Sequence, residues 1–236
     1  MLRALQTPGL FITATDTGVG KTVIASAIAN WFLRRKKRVG VCKIAATGCV
    51  RRGAMLVSED AELLAAASGS AFSLQTICPI CYEEPLAPAV AANRSSIPLN
   101  WSQLQHSLDT LASQSDVLIV EGVGGVLVPM DDRHMVQDAA RWLGLPAVVV
   151  ARPGLGTINH TLLTVETLRG AGVPVAGVVI NRYPTGDPDA AELTNPAAIE
   201  KWGRVPVLCV VPDGSTKLPV AAVEAVDWGR LLKVQQ

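Results

Sequence analysis

An excess of charge of one sign is what this chain most lacks: 21 Lys and Arg stand against 20 Asp and Glu in 236 residues, a formal charge of +1. Such a balance provides no long-range field to gather nucleic acid or an anionic membrane, which leaves a small polar ligand as the default partner. Long apolar runs are missing as well. Nothing approaches the roughly 20 residues of a membrane span, and residues 1–8 lack the apolar centre of a signal peptide, so a cytoplasmic protein is expected. Cysteines are few and odd in number (Cys42, Cys49, Cys78, Cys81, Cys209), which argues against a disulfide framework. Cys78-Pro79-Ile80-Cys81 has a metal-like or redox-like spacing, but no second pair and no clear helix start accompany it, so packing is the expected role. His160 has no evident acid or nucleophile partner in the sequence and reads as a helix residue bonded locally, while His106, in a helical pattern, and His134, in a polar loop, are assigned no role.

Apolar residues are plentiful: 49% of the chain is hydrophobic and 17% charged, enough for a sizeable core. The organising stretch is Leu10-Phe11-Ile12-Thr13-Ala14-Thr15-Asp16-Thr17-Gly18-Val19-Gly20-Lys21-Thr22, a strand running into a glycine-containing loop and then a helix. Backbone N–H groups can approach phosphate oxygens at Gly18 and Gly20. Lys21 adds a fixed charge, Thr22 offers a hydroxyl to the Mg²⁺ that accompanies a nucleotide, and the helix start points its positive end at the same oxygens. The match to a strict phosphate-binding loop is incomplete, because Thr15 stands where its first glycine belongs.

Beyond the loop, Val23, Ile24, Ala27, Ile28, Trp31 and Phe32 recur at helical spacing, and Arg34-Arg35-Lys36-Lys37-Arg38 suits that helix's negative end. Val39-Gly40-Val41-Cys42-Lys43 reads as a second buried strand that delivers Lys43 at its C-terminal end. Ser58 is placed to cap a helix whose first turn holds Glu59, Asp60 and Glu62. The proline-rich segment 78–98 is expected to begin as a surface loop. Asp116-Val117-Leu118-Ile119-Val120-Glu121 is a strand ending in a carboxylate, a geometry able to hold Mg²⁺ directly or through water, followed by the turn Gly122-Val123-Gly124-Gly125. Further strands are predicted at 147–151, 175–181 and 205–212. A helix is predicted from Thr157, which either caps it or meets an anion, to about Ala171, and a last helix over 221–232. Strands alternate with helices throughout, which predicts one α/β domain over 1–236: a doubly wound, mostly parallel sheet with helices on both faces, residues 1–8 being a flexible extension.

Taken together, Thr15 to Thr22, Lys43-Ile44-Ala45-Ala46-Thr47-Gly48, Asp60, Pro85-Leu86-Ala87-Pro88, Glu121-Gly122-Val123-Gly124-Gly125, Gly156-Thr157-Ile158-Asn159-His160 and Asn181 resemble, in order, the dethiobiotin synthetase family of P-loop enzymes. The resemblance implies an ATP-dependent ligase of biotin synthesis that closes the ureido ring of 7,8-diaminononanoate with CO₂, through a carbamate and its phosphoric anhydride. It implies Lys21 and Lys43 as catalytic residues, and Thr17, Gly18, Val19, Gly20, Lys21, Thr22, Asn181 and Pro212 around ATP. Thr22, Asp60 and Glu121 fall at the family's Mg²⁺ positions, and Thr47, Gly156, Thr157, Ile158 and Asn159 at its substrate positions. The last four would be contributed by the other subunit of a homodimer. Ala14, Gly18 and Ala89 depart from the family pattern. The alternative is a regulatory ATPase of the chromosome-partitioning type; its loop carries a lysine five residues before the invariant one, and that position here is Asp16.

Overall fold

A computed structural model describes residues 2–214 and 218–233. The first strand, β1 (Gly9–Ala14), is buried along its whole length and leads through the glycine loop into helix α1 (Lys21–Arg34). Strand β2 (Val39–Lys43) follows, then a hairpin of β3 (Val50–Arg52) and β4 (Met55–Val57), and helices α2 (Glu59–Ser68), α3 (Leu74–Ile77), α4 (Pro88–Ser95) and α5 (Trp101–Ser113). The second half alternates β5 (Val117–Glu121), α6 (Val136–Leu143), β6 (Ala147–Ala151), α7 (Thr157–Gly170), β7 (Val175–Tyr183), α8 (Ala190–Gly203) and β8 (Val207–Pro212). Two short helices close it, α9 (Val220–Glu224) and α10 (Trp228–Leu231).

Six strands form one sheet in the order β2-β5-β1-β6-β7-β8, and every pairing is parallel. Strands buried on both faces need apolar residues at successive positions rather than alternating ones, which is why Leu10-Phe11-Ile12 and Val117-Leu118-Ile119-Val120 read as continuous runs. The two faces carry separate cores. Leu10 and Ile12 pack with Ile24, Ile28 and Leu64 of α1 and α2. Phe11 faces the other way, towards Leu108 of α5, Val136 of α6 and Val165 of α7. Because all six strands run the same way, their C-terminal ends share one edge, and β1 lies where the winding reverses direction.

The structure revises several expectations. Residues 2–8 pack against the domain instead of extending from it: Leu2 is buried, the Leu5 N–H donates to the Leu143 carbonyl (3.1 Å), and Arg3 pairs with Asp109 (2.7 Å). The segment after α3 is no surface loop at its start. Cys78, Ile80 and Tyr82 are buried, and residues 80–82 bond to 46–49 through Ala46 N–H to Ile80 O (2.9 Å) and Cys49 N–H to Tyr82 O (3.0 Å). The strand predicted over 175–181 runs on to Tyr183. The helix expected over 221–232 is two helices, broken at the Asp227 cap that accepts from the Arg230 N–H, with Trp228 buried and its indole N–H given to Val223 O (2.8 Å). The five cysteines are free thiols.

Candidate active site

Four strand ends meet at the sheet edge. Gly20, in the left-handed region at φ 96°, caps α1 with no side-chain hydrogen bond, so the first-turn N–H groups stay available to an anion. Lys21 follows, 6% exposed, with Nζ 3.4 Å from the Asp16 carbonyl oxygen. Burial, and next the charge of Lys43, pull its pKa down to about 8 against the opposing pull of Glu121, Asp60 and Asp16. The loop is braced from outside by Asp16, whose carboxylate accepts from the Thr17 N–H (2.7 Å) and pairs with Arg152 (2.7 Å).

Beside the loop lies a carboxylate and lysine cluster. Glu121 is fully buried; its Oε1 accepts from the Thr22 hydroxyl (2.9 Å) and from Lys43 Nζ (2.5 Å), while among the described residues its Oε2 has no hydrogen-bond partner. Lys43 also pairs with Asp60 at 2.8 Å. Burial alone would lower the Lys43 pKa, but the carboxylates of Glu121 and Asp60 raise it above the usual lysine value, so the ammonium is fully charged. Burial works the other way on the acids: it raises Glu121, whereas on Asp60 the nearby Lys43 overcomes it and holds the carboxyl below its usual range.

These groups line one cleft of about 310 Å³ with Thr17, Gly18, Gly20, Thr47 and Gly124. Lys21, Lys43, Thr22, Asp60, Glu121 and Thr47 are therefore brought together as the sequence predicted. Val19 is buried under the loop, and Asn181 lies beneath it, its Nδ2 donating to the Val19 carbonyl (2.8 Å). Pro212 ends β8, opposite Tyr183, and is not among the residues lining this cleft. Gly156, Thr157, Ile158 and Asn159 also stand apart from it. They open α7 across Gly156 (φ 91°), beside a second, mostly apolar cleft of about 430 Å³ walled by residues 15–17, 125–128 and α7. Arg182 also lines the first cleft, along with Lys21 and Thr22. Its backbone is left-handed (φ 61°) where the β7–β8 register shifts, and nothing in the spacing of the sequence signals that turn.

The family described as an AAA domain matches residues 8–216. The ATP-dependent dethiobiotin synthetase BioD of Thermodesulfovibrio yellowstonii is 40% identical over 211 residues, covering 86% of this chain and 88% of the relative. The chain belongs to the dethiobiotin synthetase family. Members bearing the same name from Anaeromyxobacter dehalogenans (41% over 204 residues, 82% and 90% covered) and Bacillus subtilis (38% over 204 residues, 86% and 87%) agree. Among solved structures, a ParA family ATPase from Chlorobium tepidum superposes with a TM-score of 0.57 at 15% identity, covering 95% of this chain and 99% of that one. MinD from Aquifex aeolicus superposes at 0.54 with 13% identity, covering 92% and 94%. These two likenesses show the fold alone, a doubly wound parallel α/β sheet.

Proposed function

We propose that this dethiobiotin synthetase family member makes dethiobiotin from 7,8-diaminononanoate, CO₂ and ATP. The observation that carries the reading is Lys43: a second buried, charged lysine faces the phosphate cleft, beyond the Lys21 that a nucleotide loop requires. One substrate amine adds to CO₂ and loses a proton to give a carbamate. A carbamate oxygen then takes the γ-phosphoryl group of ATP, releasing ADP, and the second amine attacks the carbonyl carbon of the mixed anhydride as phosphate leaves. Phosphoryl transfer asks mainly for positioning and charge neutralisation. Lys21 meets the phosphate oxygens, and Lys43 meets the carbamate and the charge that develops on it. Thr47 is within the same cleft to orient the diamine.

Thr22, Asp60 and Glu121 fit Mg²⁺. The Glu121 Oε2 is buried without a partner among the described residues, and Mg²⁺ characteristically takes one or two carboxylates and substrate phosphates while keeping water. When bound, the ion would neutralise charge on the β and γ oxygens. A homodimer is part of the same proposal. Leu155 (90% exposed), Leu163 and Leu127 stand out on the α7 side, next to a helix start with no side-chain cap, an arrangement suited to a second copy and to the carboxylate of the substrate tail. A cytoplasmic location, where ATP is at hand, is part of the same proposal. Among the described residues no helix is long and apolar enough to cross a membrane.

Incubating the purified protein with the diamine, bicarbonate, Mg²⁺ and ATP tests the reading. One ADP per molecule of dethiobiotin, identified by mass, is expected; ATP hydrolysis with no ring product would overturn it.

A further inference from the structure

Asn181 lies in β7, 5% exposed, within the stretch between Ile180 and Tyr183 where the register with β8 shifts, and next to Arg182, whose backbone is left-handed. Its amide does not face open cleft. Nδ2 donates to the carbonyl of Val19, 162 residues earlier, at 2.8 Å. A carbonyl can only accept, so the amide's orientation is determined: the nitrogen points at the loop. The contact is close on both sides, since a Cβ on Gly20 would come within 2.1 Å of the same Nδ2. The glycine is thus required twice, for its φ of 96° and for the room the asparagine takes.

The Val19 peptide precedes the helix cap whose following N–H groups face the phosphates. A loop rich in left-handed glycines has many shapes open to it, and one buried hydrogen bond across the sheet edge selects among them. We propose that Asn181 is a positioning residue for the phosphates: its side chain clamps the Val19 carbonyl and so shapes the phosphate loop before nucleotide arrives. Preorganisation of the loop by this contact does not depend on the base. The inference rests on the reading that the cleft takes ATP.

Inorganic tripolyphosphate, which has no base, separates the two roles. Its affinity, with those for ATP and GTP, is measured by calorimetry with Mg²⁺ on the parent and on Asn181→Ala, alongside hydrogen exchange of the peptide spanning 15–22. The clamp predicts that tripolyphosphate binds about tenfold more weakly to the variant, with ATP falling at least as far and the loop amides exchanging faster while the core strands do not. If tripolyphosphate affinity and loop exchange are unchanged while ATP alone weakens, Asn181 serves only the base and the inference fails. Should Asn181→Ala not fold, Asn181→Leu fills the space without a donor and carries the same expectations. A parent protein that binds neither ATP nor tripolyphosphate would instead remove the nucleotide reading, and the inference with it.

Discussion

Lys43 and Glu121 stand directly opposite each other in the parallel register of β2 and β5, and the ammonium lies 2.5 Å from the carboxylate with both side chains buried. The pair is 78 residues apart in the chain and becomes adjacent only because β5 inserts between β1 and β2. A buried lysine shared by two carboxylates is held charged and aimed, which is what a group stabilising a developing anion needs.

Lys43→Gln retains length and some hydrogen bonding but removes the charge. If Lys43 meets the charge that develops on the carbamate, product formation should fall by about 100-fold to 1,000-fold while ATP affinity changes far less. Dethiobiotin yield and nucleotide binding on the same preparation check this; near-normal turnover would leave Lys43 a structural residue.

Removing the lysine also strands a buried acid. Lys43→Met should lose about 3 kcal/mol of stability, since Glu121 loses its nearest counter-charge and keeps only the more distant Lys21, and adding Glu121→Gln should recover much of it while activity stays lost. Urea unfolding of the two single variants and the double variant measures the coupling; simple additivity would argue against a paired site.

The lowered pKa of Lys21, about 8, makes nucleotide binding proton-linked. Above that pH the free protein carries a mostly neutral Lys21, and bound phosphates favour its charged form. ADP binding should therefore weaken as pH rises through about 8 and take up a proton near pH 9. Calorimetry in buffers of different ionisation enthalpy reads that uptake directly, and no uptake at pH 9 would mean that Lys21 does not meet the phosphates.

Asp131 shows the opposite sign. Burial opposes its charge, but His134, the Trp101 indole N–H (2.6 Å) and the N–H groups of Arg133 and His134 hold its pKa down to about 2, from a usual 3.8. A carboxyl lowered in the folded state contributes stability above its usual pKa and loses it as pH falls through the folded value. After screening by solvent, Asp131→Ala should cost about 1 kcal/mol at pH 7, with the gap to the parent narrowing below pH 4 and nearly closed at pH 2. Denaturant titrations across that range check it.

Leu163 is 59% exposed on α7 and borders the apolar cleft. If a second copy covers this face, Leu163→Glu should shift the protein from dimer to monomer in sedimentation and raise KM for the diamine, with ADP binding retained. A parent that is monomeric and fully active at assay concentration would exclude the dimer.

Local sequence was enough for much of this molecule. Continuous apolar runs mark strands covered on both faces, and in an all-parallel sheet a residue ending such a run is delivered to the same edge as every other. Lys43, Glu121 and the loop through Thr22 could therefore be placed at one site from position alone. Helices with ordinary starts were legible too, as at Ser58, whose side chain accepts from the Ala61 N–H. What proved illegible was set by contacts distant in the chain. Pro196 lies inside α8 and obscures it, yet the capping box of Asp189 and Glu192 and the tertiary bonds from Asn195 to the Pro153 and Gly154 carbonyls sustain that helix. Strand order, the Lys43 to Glu121 register, the buried strap at 80–82 and the hold of Asn181 on Val19 depend on which elements become neighbours. Periodicity and local propensity decide what each segment is; only the free energy of packing the whole sheet decides what it lies beside.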